Sequence, residues 1–369
     1  MKTVRRLLYR DIVASVAFVA VAFLSLFFFI DFVEELESAG RSGRAAWSAA
    51  LAAGFALPGH FYELFPIAVL IGTIYSMSRL AQSSEFVILR TGGLGPGRAL
   101  ALLAVLGLAF GFTTWLVGDY VAPASERQGV LFKARNSGKD YSGAGVWLKE
   151  RRSTPQGDFS YSVNVQATNP LGGMSGIRIY EFDPTGHLAT RIEANEARIG
   201  DDGTWTLSKA KAMHWPAPRA ESPSRMRIEV HETLKWPSTL TVGMVTAAVL
   251  PVGTMTTAEL WRFSRHLSSQ EQAAEGHEIQ FWKKALYPLA CLVMVALALP
   301  FAYTHARAGS VSLKVFGGIM LGISFVLLNN LASHMGLLRG WTPWVAAATP
   351  SLIYLGLSMA AFAWLVRYR

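Results

Sequence analysis

His60 and Glu63 stand three apart in "GHFYE", a spacing that puts both on one face of a helix. An imidazole and a carboxylate so placed could share a metal ion or pass a proton. No third ligand accompanies them and the HExxH signature is absent, so the sequence assigns neither a metal site nor a catalytic residue. The simpler reading is a polar patch near the outer end of a helix, touching a lipid headgroup or Arg41 and Arg44. "TGGLGPGR" lacks the Lys-Ser/Thr pair that grips phosphate and magnesium, so the chain is expected to bind no ATP and no cofactor of its own. No GxSxG elbow occurs. His277, His305 and His334 read as solvated groups flanking apolar runs, and the single Cys291 as a small buried residue unable to form an intramolecular disulfide.

A different kind of site is suggested by "QSSEFVILRTGG" at 82–93. Ser84 suits a helix N-cap, and Glu85 falls in the first turn, where the helix dipole favours an acid. Phe86, Ile88 and Leu89 supply apolar area, Arg90 closes the last turn, and Gly92–Gly93 stop the helix. Isolated helices below about 12–15 residues are marginal in water, so a helix this short must dock on something. Either it rests on the membrane as an amphipathic stub, or it seats in a groove on a cytoplasmic protein, where Glu85 meets a base.

The elements that must position these residues are mostly membrane spans. The chain is 51% hydrophobic with a formal net charge of +9. Uncharged windows long enough to cross ~30 Å of hydrocarbon run over Ile12–Ile30, Ala99–Gly118, Ala285–Thr304, Val315–Ser333 and Gly340–Val366. A weaker sixth, about Leu57–Ser78, carries His60 and Glu63. The first run is longer than a signal-peptide core and lacks a small-residue cleavage site. Lys2, Arg5, Arg6, Arg10, Arg79, Arg90, Arg98, Arg307, Lys314, Arg367 and Arg369 cluster on one side, which by the positive-inside rule puts both termini in the cytoplasm. The basic balance therefore reads as topology, with no nucleic-acid partner. Asn329 and Asn330, deep in the fifth span, read as interhelical hydrogen-bonders.

The region outside, periplasmic in a bacterium, has the period of strands. Phe159, Tyr161, Val163 and Val165 alternate with polar residues; Trp205 and Leu207 share a face, as do Met226, Ile228 and Val230; "DDG" at 201–203 reads as a hairpin turn. Its apolar positions could form an ordinary core or line a groove open to an apolar ligand. "TTAELWRFSRHL" reads as a surface helix before the fourth span. The expected division is 1–118 for three spans and the short helix, 119–255 for the sheet, and 256–369 for a connecting helix and three more spans.

This order of elements, with "LAQSSEFVILRTGG", "GDYVAPASERQG", "GVWLKE", "LGGMSGIRIYEF" and "WKKALYPLA", resembles the lipopolysaccharide export permeases, the YjgP/YjgQ or LptF/LptG family, and its LptG branch more than its LptF branch. The resemblance covers nearly the whole chain. It implies a membrane α-helical fold of six transmembrane helices with an inserted all-β periplasmic jelly-roll, in the inner membrane of a Gram-negative bacterium. The implied function is an ABC-transporter permease that extracts lipopolysaccharide. The implied partners are an LptF-like permease, an LptB-like ATPase dimer that binds the ATP and magnesium, an LptC-like single-helix protein and an LptA-like periplasmic bridge. Residues 83–93 become the coupling helix. The first and fifth helices become gates, represented by Phe28, Phe32, Ile319, Ile323 and Val326, with Leu64 and Phe65 near the lipid cavity. Family members carry lysines for lipid phosphate at the outer end of the first helix; Asp31, Glu37 and Ser38 stand there here, with Arg41 and Arg44 as nearby substitutes. At Asn329–Asn330 an amide replaces an expected acid. The rival readings are a membrane-embedded lipid-modifying enzyme and the sister LptF-type subunit.

Overall fold

The structure, a computed structural model, describes residues 2–41, 45–83, 96–137, 145–154, 157–168, 173–200, 203–216, 226–241, 244–245, 248, 252–269, 274–303 and 311–367. Its helices are α1 (Lys2–Arg41), α2 (Ala46–Gln82), α3 (Pro96–Leu116), α4 (Ala122–Ser137), α5 (Thr257–Ser269), α6 (Glu275–Tyr303), α7 (Val311–Arg339) and α8 (Pro343–Arg367). A π-turn over Val117–Val121 joins α3 to α4, so the helix does not stop at Gly118 but runs on to Ser137, with a candidate membrane span of Gly97–Lys133. Among the described residues six helical stretches are long and apolar enough to cross a membrane, as the hydropathy windows predict. Helices satisfy their own backbone hydrogen bonds, which hydrocarbon cannot do; α2 nevertheless contains Pro58 and Pro66, each of which removes one such bond.

By contact the chain divides into a helical unit (1–132, 256–260, 275–369) and a β unit (133–255, 261–274). In the helical unit α2 is the spine, packing against α1, α6 and α7, while α6 also carries α3 and α8. The core between them includes Ile12, Val16, Leu70, Ile74, Leu103, Met294 and Phe325. Cys291 is fully buried there, 3.1 Å from Thr114 Oγ1, as its apolar surroundings predict.

The β unit is one antiparallel sheet of β1 (Val146–Thr154), β2 (Gly157–Thr168), β3 (Gly173–Phe182), β4 (Leu188–Ile199), β5 (Thr204–His214) and β6 (Arg227–Pro237), in the order β1-β2-β3-β4-β5-β6. The inserted all-β unit is therefore present, and each of its described strands pairs with the next in chain order. The cross-strand row Leu148, Val163, Ile179, Ile192 and Ala212 lies on the inner face, and all five are buried. Gly203 (φ +77°) permits the turn between β4 and β5, its N–H donating to the Gly200 carbonyl at 3.0 Å. Met226, Ile228 and Val230, read from the sequence as one apolar face, are exposed, Val230 at 77%. They belong to the opposite face of the edge strand, where Ile228 pairs with Met213 and Val230 with Lys211.

The sheet is rolled, with its two edges tied at one end by side chains. Glu150 on β1 accepts hydrogen bonds from Ser238 Oγ (2.8 Å), Thr239 N (2.9 Å) and Thr239 Oγ1 (3.1 Å), just beyond β6. It also accepts from Arg152 Nε at 2.8 Å and Nη2 at 3.2 Å. The Arg152 guanidinium lies over the rings of Tyr161 (4.3 Å) and Trp236 (4.7 Å), and Trp236 meets Trp205 edge-on at 5.5 Å.

Candidate functional site

Both α1 and α7 are seated on α2 through close approaches that require glycine. A Cβ on Gly72 would lie 2.6 Å from Val16 Cα, and Cβ atoms on Gly318 and Gly322 would lie 2.7 Å from Ile74 Cδ1 and 2.6 Å from Ile67 Cγ2. Small residues let helix backbones close where lipid, as apolar as any side chain, offers no hydrophobic drive. The sides of α1 and α7 turned away from α2 are left open. Phe18 is 76% exposed and Phe29 63% on α1; Leu313 is 64% and Leu327 63% on α7.

The site residues expected from the sequence fall on these helices in separate groups. Leu64, half-buried, and Phe65, buried, line a crevice between α1 and α2 with Ala20, Phe23, Leu24 and Phe61; it holds no room even for a water. Phe28 and Phe32 stack on each other one turn apart, centroids 6.2 Å apart, farther along α1. Ile319 and Val326 are half-buried and Ile323 exposed, on one side of α7. The crevice lining includes neither of these two sets, so this part of the chain offers an apolar wall rather than a filled pocket. Ser84, Glu85, Phe86, Ile88, Leu89 and Arg90 lie outside the described residues, as do Arg44 and His305. Arg41 ends α1, its side chain likewise outside the description.

The polar patch has different partners from those its spacing suggested. His60 Nε2 is 2.7 Å from Asp31 Oδ2 on α1, with the Phe27 ring tilted 4.9 Å away. Glu63, three residues on, is exposed and contributes its carbonyl oxygen, which accepts from Tyr287 Oη at 2.5 Å. An acid in the C-terminal part of the first helix thus holds a histidine of the second, because a carboxylate there must be met by a donor. Asn330 is exposed rather than deep, yet it does bond across helices as expected, accepting from Lys283 Nζ at 3.3 Å, while Asn329 beside it is buried. His334 is exposed, as expected, whereas His277 is half-buried within α6 rather than solvated.

Sequence reasoning missed three further arrangements. At the other end of the α1–α2 seam, Asp11 is clasped by α2: Ser76 Oγ donates to Oδ2 at 2.7 Å, and Arg79 Nη2 pairs with Oδ1. The signal was a lone acid beside the first apolar run, which needs a base within reach. At the start of α5, Thr256 and Glu259 form a capping box, Thr256 N donating to Glu259 Oε2 (2.8 Å) and Glu259 N to Thr256 Oγ1 (3.2 Å), a pattern readable in "TTAE". Arg127 pairs with that same carboxylate, and Asp119 on the π-turn accepts from Thr257 N at 2.6 Å. Burial pushes the Glu259 carboxyl up, but the Thr256 N–H and Arg127 more than offset it and hold it below the usual range. The third is the Glu150 cluster. Burial opposes its charge, yet hydrogen bonds from Arg152, Thr239 and Ser238 keep its carboxyl below the usual range. Tyr161 moves the other way, pushed up to about 12 by burial and by Glu181, to which its hydroxyl donates at 3.0 Å.

Six apolar helices and an inserted antiparallel sheet define a multi-pass membrane protein. The family model described as lipopolysaccharide export system permease LptF/LptG matches residues 6–367, and the chain belongs to that family of transport permeases. It is 24% identical over 363 residues to the lipopolysaccharide export system permease protein LptG of Haemophilus influenzae, covering 96% of each chain. It is 25% identical over 343 residues to the protein of that name from Escherichia coli strain K12, covering 91% of each.

Proposed function

We propose that this chain is the LptG-type subunit of a lipopolysaccharide exporter, a passive lever worked by nucleotide hydrolysis in a separate ATPase. On this reading it pairs with an LptF-like permease, sits on an LptB-like ATPase dimer that binds ATP and magnesium, and passes lipid to LptC-like and LptA-like proteins. It lies in the inner membrane with both termini cytoplasmic and the β unit periplasmic. The segment Ser84–Arg90 docks in the ATPase, with Glu85 meeting a base there.

The observation that carries the reading is the close seating of α1 and α7, whose outer sides are apolar and exposed, on α2, the helix that leads at Gln82 into the Glu85 segment. A lipid with several acyl chains resists leaving the bilayer because each buried CH₂ is worth ~0.8 kcal/mol. A receiving wall closed by a second chain removes that cost, and collapse of the enclosed space delivers the lipid upward. Phe28, Phe32, Ile319, Ile323 and Val326 would belong to the two gates, and Leu64 and Phe65 to the wall behind them. The inner row of the rolled sheet then offers a second apolar surface.

The test is Glu85→Lys and Glu85→Ala in the complex, read by co-purification of the ATPase and by ATP-driven release of lipopolysaccharide from vesicles. Loss of both is expected. Survival of both overturns the coupling role, and conversion of the lipid by the purified chain without an ATPase would favour an enzyme instead.

A further inference from the structure

The seam between α1 and α2 is apolar through its middle and polar at its ends. Leu8, Ile12, Val16 and Ala20 of α1 belong to the buried core, and Val16 meets Gly72 at backbone distance. That approach fixes how closely the two helices pack, but its dispersion and apolar burial supply no directional bond. Direction must come from polar groups. At the end where α2 approaches Gln82, the Asp11 carboxylate is gripped by one turn of α2. Ser76 donates to one oxygen at 2.7 Å and Arg79 pairs with the other, the two donors standing three residues apart on one helix face. Ser76 is fully buried and the Asp11 side chain is 21% exposed, so the Ser76 half of the clasp is set into the seam, while Arg79, 56% exposed, closes it from the solvent side. A slide of one helical turn, about 5.4 Å, or a comparable rotation breaks both bonds together.

Among the described residues α2 is the helix that packs most extensively on α1, with Tyr9 Oη of α1 also donating to the Leu102 carbonyl of α3 at 2.8 Å. We infer that Asp11 is a positioning residue that locks the first helix to the cytoplasm-facing turn of the second, so that a displacement delivered to the end of α2 moves α1 as one body with it. The inference rests on the lever reading above and deepens it, naming the contact through which the first gate follows the coupling segment. Without the clasp, α1 keeps its packing at Gly72 and the Asp31–His60 contact at the far end of the seam, but its end nearest the coupling segment is free to lag behind α2, and hydrolysis is spent with less lipid lifted.

The test uses the reconstituted complex in vesicles with lipopolysaccharide. Asp11→Asn keeps the shape and removes the charge; Asp11→Arg with Arg79→Asp restores the pair with its polarity reversed. For Asp11→Asn we expect ATPase association and hydrolysis within about twofold of the wild type, and lipid released per ATP reduced about tenfold, inside the 5–150-fold range typical of coupling between sites. The reversed pair should recover most of that loss. Unchanged lipid per ATP in Asp11→Asn, loss of ATPase association, or no recovery in the reversed pair each overturns the assignment. A second measurement separates this failure from that of the transport reading. Spin labels on the exposed positions Val33→Cys of α1 and Leu51→Cys of α2 report their separation in the same complex. The distance distribution should broaden in Asp11→Asn and narrow again in the reversed pair, whether or not lipid moves. An unaltered distribution refutes the lock, whereas a broadened one in a complex that exports no lipid refutes only the transport reading.

Discussion

Removing the Glu150 carboxylate should loosen the tied end of the rolled sheet by a measurable amount. In Glu150→Ala five hydrogen bonds disappear, three of them from the residues that follow β6. Hydrogen bonds to charged groups contribute about 1.5–3 kcal/mol each, but members of one network are not additive. Breaking a buried pair costs about 3–5 kcal/mol, chiefly by stranding the remaining charge. The Arg152 side chain is 21% exposed and rests on two aromatic rings, so it can reach water, which places the cost near the lower bound, ~3 kcal/mol. Glu150→Gln, which keeps one accepting oxygen, should lose about half of that. The assay is amide hydrogen exchange of the purified full chain, followed at β1 and at Thr239–Leu240. A local destabilisation of ~3 kcal/mol corresponds to roughly 150-fold faster opening. Arg152→Met in the Glu150→Ala background should cost less than the two changes separately by about 1–2 kcal/mol, because the second removes a charge already stranded. Acceleration below about threefold, or simple additivity of the pair, would show that the edges are held by the stacked rings and not by the carboxylate.

Acid should act through the same group. Glu150 and Glu259 are both held below the ordinary carboxylate range in the folded chain, so each contributes stability that is fully present above the unfolded value of about 4.3 and is lost as pH falls through the depressed folded value. Thermal melts between pH 3 and 7 should therefore show a smaller difference between wild type and Glu150→Gln at the acid end; a constant difference would refute the linkage. In the helical unit, Gly72→Leu forces α1 off α2, since even the Cβ meets Val16 backbone, and should cost about 1–3 kcal/mol or more in a detergent melt. Gly54→Ala, with open space around its Cβ, is the control and should be neutral or slightly stabilising; equal loss in both would mean that the close approach is not what the glycine serves.

The six spans, the inserted antiparallel strands and the capping box at Thr256–Glu259 were legible in the chain because each depends on neighbours close in sequence. Hydrocarbon demands a run of apolar residues, a half-buried strand demands alternation, and a cap demands its acid three residues on. Partners distant in sequence were decided only by packing. His60 meets Asp31 from 29 positions away and not Glu63 from three, because helix α1 runs antiparallel beside α2 and supplies the carboxylate. Asp11 finds Ser76 and Arg79 across 65 and 68 positions, and Asp119 finds Thr257 across 138. The exposure of Ile228 and Val230 likewise follows from their lying on the face of the sheet opposite the inner row, which alternation alone does not reveal. A local pattern states which groups must be satisfied; the tertiary fold alone brings the group that satisfies them, since side chains meet by distance in space and not along the chain.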